Sequence, residues 1–248
     1  MKAIILAAGK CTRMGDLCLD TPKCMLPVLG KPILQWIIEF MSAQIHDFYI
    51  AVSYKQEKIV EYFGNGSKLG VSIHYYEVQN SKGTADSLNQ LIEGLNLTQY
   101  ALVTYADILM GKMDYLGTIS DDGIQQIGIN YIDDPYLGAA VYFDQKNQIT
   151  EFVEKPKKGE SLTFWNAAGV MWLNLEWFAE EYDHFCQHCD EGEELVLTQF
   201  LDFLMNHRGL IMKAHHVNFW WDMGTKDLYL QHKKKIEQHG SFEWSEVC

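Results

Sequence analysis

The chain opens on a short uncharged run, Ala3-Ile4-Ile5-Leu6-Ala7-Ala8, that begins almost at the first residue and breaks at Gly9. An apolar run of this length without alternation predicts a strand buried on both faces, as in parallel sheets covered by helices. The small residues at its end let the chain turn so that backbone N–H groups point outward, where they can face a phosphate. Arg13 and Lys23 add full positive charge to the same loop. This combination suits a triphosphate; the plainer alternative is an ordinary strand-to-helix turn with two solvated basic residues.

Ile33, Leu34, Ile37, Ile38 and Met41 recur at helical spacing and predict an amphipathic helix over 33–43 that packs on the sheet. Asp47 to Ser53 reads as a second buried strand and Lys55 to Tyr62 as a helix closed by Gly64-Asn65-Gly66-Ser67. Val71 to Tyr76 alternates as a strand should. Strand and helix alternating through short loops predict an α/β fold: a Rossmann-like, doubly wound, mostly parallel mixed sheet with its ligand at the carboxyl ends of the strands. Ala101 to Leu109 reads as a further strand, 117–123 as a polar connection and Gln126 to Ile132 as a strand. Gly138 to Phe143 and Gln148 to Val153 form a hairpin, a small β-rich insertion into the alternation. Leu175 to Tyr182 and Val196 to Asn206 are helical in pattern, 183–194 is a charged, thiol-bearing loop, Ile211 to His216 a strand, and Leu228 to His239 a helix with a basic outer face.

The 248 residues suffice for one large α/β domain with a sizeable core. A formal charge of −13 argues against a nucleic-acid partner, so an anionic substrate must be met by local cations, of which Arg13, Lys23 and Lys155 are the candidates. No stretch approaches the ~20 apolar residues of a membrane span, and the N-terminal run is too short for a secretory signal, so a cytoplasmic location is expected. The six cysteines, Cys11, Cys18, Cys24, Cys186, Cys189 and Cys248, are scattered and read as thiols. Cys186-Gln187-His188-Cys189 with His184 has the spacing of half a zinc knuckle, but no second pair completes a tetrahedron.

Three polar stretches stand out. In Gln79-Asn80-Ser81-Lys82-Gly83-Thr84-Ala85, a glycine-threonine pair opening a helix offers N–H groups and a hydroxyl to a planar ligand edge or a ribose; alternatively Ser81 or Thr84 simply caps the helix. Asp107 ends the apolar stretch from Ala101, where a cation offsets the desolvation of a carboxylate. Asp222, in Trp220-Trp221-Asp222-Met223-Gly224-Thr225, is a second acid at the end of an apolar stretch. Two distant carboxylates meeting at one site suit Mg²⁺, which takes few protein ligands; for either acid a helix N-cap is the structural alternative.

Leu6-Ala7-Ala8-Gly9-x-x-Thr12-Arg13-Met14 followed by Pro22-Lys23-x-Met25-Leu26-Pro27-Val28-x-Gly30-Lys31-Pro32 resembles the N-terminal motif of sugar-phosphate nucleotidyltransferases, the nucleoside-diphosphate-sugar pyrophosphorylases. Gly83-Thr84-Ala85, Ala106-Asp107, Glu154-Lys155-Pro156, Trp165-Asn166-Ala167-Ala168-Gly169 and Trp220-x-Asp222-x-Gly224-Thr225 resemble its later motifs, so the likeness covers nearly the whole chain. It implies a single nucleotidyltransferase domain, with a nucleotide half over 1–110, a sugar-phosphate half over 111–230, and a helix and tail over 228–248 too short for the acyltransferase or β-helix domains of some relatives. The implied activity joins a sugar 1-phosphate to a nucleoside triphosphate, releasing pyrophosphate, in the supply of cell-surface polysaccharide precursors. Arg13 and Lys23 would be catalytic; Leu6, Ala7, Ala8, Gly9, Thr12, Gln79, Gly83 and Thr84 would bind the nucleotide; Gly138, Glu154, Lys155 and Asn166 the sugar phosphate; Asp107 and Asp222 would hold Mg²⁺. The base reader is Gln79 or Glu77, the register of Asn166 is open by about one residue, and a homo-oligomer is compatible. Two departures are visible: Cys11 and Ala106 stand where the family has glycine. Rival readings are a cytidylyltransferase for choline phosphate and a catalytically silent regulator that keeps the fold.

Overall fold

A computed structural model describes residues 1–240; the expected tail beyond Gly240, Cys248 included, lies outside the described residues. The elements begin with β1 (Lys2–Leu6), β2 (Pro27–Val28), β3 (Lys31–Pro32), α1 (Ile33–Met41), β4 (Asp47–Val52), α2 (Gln56–Phe63), β5 (Ser72–Glu77), α3 (Thr84–Gly94), β6 (Tyr100–Tyr105) and β7 (Ile108–Met110). There follow α4 (Lys112–Leu116), β8 (Gln125–Tyr131), β9 (Ala139–Phe143), β10 (Ile149–Glu154), β11 (Trp165–Asn174), α5 (Glu176–His188), α6 (Leu197–Arg208), β12 (Met212–His216), β13 (Trp220–Asp222) and α7 (Lys226–His239). The architecture is α/β and Rossmann-like, with a mixed sheet, as the alternation of strand and helix predicts. No helix among the described residues is long and apolar enough to cross a membrane.

The chain divides into two compact units. The first takes Met1–Glu77, Thr104–Leu116 and the chain from Asn218; the second takes Val78–Val103 and Gly117–Val217. In the first unit β1 and β5 flank β4, all parallel, with Lys2 opposite Asp47 and Leu6 opposite Ala51. Ala3, Ile4 and Ile5 are wholly buried, so the unalternating run covers both faces of its strand. Helices α1 and α2 make the two crossovers, and α1 buries Ile33, Leu34, Ile37, Ile38 and Met41 along one stripe.

One expected strand is two. The run from Ala101 breaks after Tyr105 and turns at Ala106-Asp107, and β7 then pairs antiparallel with β13. Apolar periodicity cannot locate that turn, because Ile108, Leu109 and Met110 stay buried in the new ribbon just as they would in a continued strand.

In the second unit β8 lies between β11, antiparallel, and β12, parallel, while β9 and β10 form the expected hairpin. Its turn is held by Asp144 Oδ1, which accepts from Lys146 N at 2.8 Å and Gln148 N at 2.9 Å. The irregular Ala167-Ala168-Gly169 is a break in the β8 register, with Gly169 at φ 86°. Helix α5 is longer than its sequence pattern suggests: residues 183–188, expected as loop, are helical. Phe185 explains the extension, since it carries the buried face of Phe178 and Tyr182 one turn further and meets Phe200 at 5.0 Å between ring centroids. Cys186 and Cys189 are free thiols, and no group of three or more His, Cys, Asp or Glu among the described residues is placed to hold a metal.

Candidate functional site

In the first unit the carboxyl end of β1 feeds the basic loop. Leu6 and Ala7 are buried, with Ala7 N donating to Ala51 O at 2.8 Å, and the chain surfaces through Ala8 to the exposed Gly9. Cys11 adopts the left-handed conformation, φ 58°, which accounts for a glycine preference at this place. Its Sγ accepts from Lys23 N at 3.1 Å, so the side chain ties the loop's start to the turn carrying the lysine. Thr12 and the exposed Arg13 begin the 3₁₀ segment Thr12–Cys18. Lys23, at the head of a second 3₁₀ turn after Pro22, folds back over Gly9: a Cβ added there would lie 3.4 Å from its Cε.

The ribbon of β7 and β13 brings the two distant acids together. Asp222 pairs with Ile108, and Met223 N donates to Asp107 O at 2.8 Å. Lys23 Nζ makes an ion pair with Asp107 Oδ2, both side chains less than one-fifth exposed. Asp222 Oδ1 accepts from Gly224 N at 2.6 Å, and neither acid caps a helix; that role falls to Thr225, which accepts from Leu228 N. A Cβ at Gly224 would lie 2.8 Å from Asp222 Oδ1, 3.1 Å from Asp107 Oδ2 and 3.7 Å from Arg13 Nη2. Both carboxylates and the guanidinium therefore border one small space that only glycine leaves open.

The electrostatics follow. Burial works against the Lys23 ammonium, yet the Asp107 carboxylate outweighs it and holds the lysine above its ordinary value. Burial first, and then the charge of Asp107, push the Asp222 carboxyl upward against the opposing Gly224 N–H, Arg13 and Lys23. A second cation beside Asp222 would relieve that cost, and two carboxylates facing one space suit a hard divalent ion that fills its remaining positions with phosphate and water. The donor set fits Mg²⁺.

Sequence reading missed what holds this ribbon. Asp114, buried in α4, accepts from Gly111 N at 3.1 Å, Asn218 N at 2.9 Å and Phe219 N at 3.0 Å, tying the end of β7, which follows Asp107, to the start of β13, which carries Asp222. The buried Tyr115 hydroxyl donates to Ile108 O at 2.8 Å and accepts from Met110 N at 3.2 Å. An acid three residues past Gly111 is a local signal, but its partners beyond Val217 are invisible to any short window.

The second unit gathers the other candidates. Gly138, Glu154, Lys155 and Asn166 are neighbours: Lys155 N donates to Gly138 O at 2.7 Å, and a Cβ at Gly138 would lie 2.3 Å from Asn166 Oδ1. Asn166 Nδ2 donates to Asn130 Oδ1 at 3.1 Å and Ala167 O at 2.9 Å, while its Oδ1 is buried with no partner among the described residues. Lys155 Nζ reaches Glu194 at 3.2 Å, and Glu154 Oε2 accepts from the Thr198 hydroxyl at 2.7 Å. Neither Ser81 nor Thr84 caps α3; the Thr84 hydroxyl accepts from Leu197 N at 2.9 Å, at the start of α6. Gly83, φ 152°, packs against Leu195, whose carbonyl oxygen would lie 2.3 Å from an added Cβ. The stretch from Glu194 to Thr198, which begins at the last residue of the expected 183–194 loop, thus touches both the Gly83-Thr84 pair and the Glu154-Lys155 pair. Of the two candidate base readers, Glu77 ends β5 in the first unit and Gln79 lies exposed in the second.

A family model described as "Nucleotidyl transferase" matches residues 2–239. The chain is 31% identical over 229 residues to "Bifunctional protein GlmU" of Methanococcus maripaludis, covering 90% of this chain and 51% of that protein. It is 31% identical over 165 residues to the D-glycero-alpha-D-manno-heptose 1-phosphate guanylyltransferase of Campylobacter jejuni, covering 65% of this chain and 72% of that one. The chain spans about half or less of the curated relatives it matches first, 38% and 51% of their lengths. In fold it is similar to a crystal structure from Bacillus anthracis provisionally named a glucose-1-phosphate thymidylyltransferase, in complex with sucrose. That likeness has a TM-score of 0.80 at 22% identity and covers 98% of this chain and 97% of the other.

Proposed function

The chain belongs to the nucleotidyl transferase family, and from that premise we propose that it condenses a sugar 1-phosphate with a nucleoside triphosphate to give a nucleotide sugar and pyrophosphate. A sugar-phosphate oxygen attacks the α-phosphorus in line; one P–O bond forms, the bond to the β-phosphate oxygen breaks, and pyrophosphate leaves with the electron pair. The attacking oxygen is already anionic, so no general base is needed and catalysis is positioning and charge neutralisation. Arg13 holds the departing phosphates, Lys23 offsets charge at the α-phosphate, and the Leu6-Ala7-Ala8-Gly9 turn with Thr12 follows the triphosphate. Gln79, Gly83 and Thr84 take the base and ribose, and Gly138, Glu154, Lys155 and Asn166 take the sugar phosphate. Asp107 and Asp222 would hold Mg²⁺, which when bound neutralises the phosphate oxygens. The whole chain acts as one nucleotidyltransferase domain in the cytoplasm, where triphosphates are supplied, and its product feeds cell-surface polysaccharide.

The observation that carries this reading is the space opposite Gly224, bordered by Asp107, Asp222 and Arg13. The orphaned Asn166 Oδ1 beside Gly138 supports an acceptor rich in hydroxyls over choline phosphate, because a buried carbonyl oxygen lacks only a donor. A pyrophosphate-release screen of five nucleoside triphosphates against sugar 1-phosphates and choline phosphate, with and without Mg²⁺, tests it. Mg²⁺-dependent turnover with a sugar 1-phosphate is expected. Turnover with choline phosphate alone, or none with any pair, overturns the reading.

A further inference from the structure

The segment before α3 is held by an unusual clamp. A single side chain, Gln90, engages both main-chain groups of Gln79: its Oε1 accepts from Gln79 N at 3.0 Å and its Nε2 donates to Gln79 O at 3.0 Å. Two such bonds do for one residue what a neighbouring strand does, fixing the peptide planes on both sides of its Cα and hence the direction of its side chain. Asn80, at φ 47°, turns the chain immediately afterwards.

Gln90 is itself oriented. Its Nε2 also donates to Asp86 Oδ2 at 3.1 Å, and an ionised carboxylate can only accept, which settles which end of the amide faces Gln79. Asp86 Oδ2 accepts from Lys82 N at 2.8 Å, and Oδ1 accepts from the Tyr182 hydroxyl of α5 at 2.8 Å. Burial and then Asp86 itself push the Tyr182 phenol upward, so it stays protonated as the donor. Asp86 and Gln90 are one turn apart on α3, where a helix-stabilising pair is ordinary. That explanation does not cover the reach forward to Gln79 or across to Tyr182.

We propose that Gln90, oriented by Asp86 and Tyr182, is a positioning residue for nucleobase recognition: it fixes the Gln79 main chain so that the exposed Gln79 carboxamide meets the base edge, and thereby sets the choice of nucleotide. The inference rests on the nucleotidyltransferase reading and on Gln79 as base reader. A carboxamide presents one donor and one acceptor side by side, so its discrimination between bases depends on where it is held.

The test is calorimetric binding of ATP, GTP, CTP, UTP and dTTP, each with Mg²⁺, to the full chain and to Gln90→Leu, Tyr182→Phe, Gln79→Ala and the Gln79→Ala/Gln90→Leu double variant. Gln90→Leu is expected to reduce the preference for the best nucleotide about ten-fold while leaving the weaker ones near their original affinity. Tyr182→Phe, which keeps its shape, should lose about three-fold in the same direction. The double variant should bind no worse than Gln79→Ala alone, because Gln90 acts through Gln79. Equal weakening for all five nucleotides, an unchanged preference, or additive losses in the double variant would each overturn the inference and leave a clamp of purely structural use. If Gln90→Leu does not fold, Tyr182→Phe and Gln79→Ala decide. A natural chain that binds none of the five would overturn the nucleotidyltransferase reading itself, a result distinct from the others.

Discussion

Gly224 is the residue on which the carboxylate pair depends most. Its φ is unremarkable; what it supplies is room, since a methyl group there would press on Asp222 Oδ1 at 2.8 Å and Asp107 Oδ2 at 3.1 Å. Gly224→Ala should cut Mg²⁺-dependent turnover by at least about ten-fold, with an unfolding midpoint close to that of the natural chain, as steady-state rates and thermal melts would report. Asp222 makes the opposite trade. Its carboxyl is pushed upward by burial and by Asp107, so the native state pays to ionise it. That charge costs nothing below the ordinary carboxylate range, and the cost grows as pH rises through the elevated native value. Asp222→Asn should therefore be more stable than the natural chain at pH 7, with the difference closing as the pH falls through the carboxylate range, while turnover is lost. Urea denaturation at several pH values measures the first and pyrophosphate release the second; a less stable Asn variant at pH 7 would contradict the sign.

The β7 and β13 ribbon holds the two acids in one register, and Asp114 holds the ribbon. With three N–H donors on one buried carboxylate, Asp114→Ala should cost about 3 kcal/mol or more, read from urea unfolding, and Asp114→Asn less because one oxygen remains. The regular elements of the first unit were legible in sequence, since α1 and α2 repeat at helical spacing, β5 alternates, and β1 and β4 are short apolar runs buried on both faces. The placement of Arg13 and Lys23 in the loop after β1 was legible as well, because both stand close to that strand in sequence. What escaped was long-range. The turn at Asp107 is hidden by an apolar run that stays buried on both sides of it, the extension of α5 follows from Phe185 meeting Phe200, and the clamp of Asp114 closes on residues supplied near the end of the chain. The Gly83-Thr84 pair was recognisable as a motif, but its packing against Leu195 and Leu197 depends on a stretch with no period to read.

At the scale of the whole chain, a charge of −13 means that an anionic substrate meets net repulsion and must be held by a few cations at close range, so substrate affinity should respond to Arg13 and Lys23 far more than to surface lysines. The first unit is also assembled from three separated segments, the last beginning at Asn218. A chain ended at Val217 lacks β13, α7 and Asp222; hydrogen exchange should find amides of β1, β4 and β5 poorly protected in it and those of β8 and β11 still slow. Equal protection throughout would count against this dependence. Synthesis on a ribosome follows the same order. Every residue of the second unit, Val78–Val103 and Gly117–Val217, has been translated before Asn218 appears, whereas Asp222, the later of the two acids, comes only after it. A nascent chain therefore holds every residue of one compact unit while it still lacks the acid that faces Asp107, and the proposed cation site cannot form before Asp222 has been made.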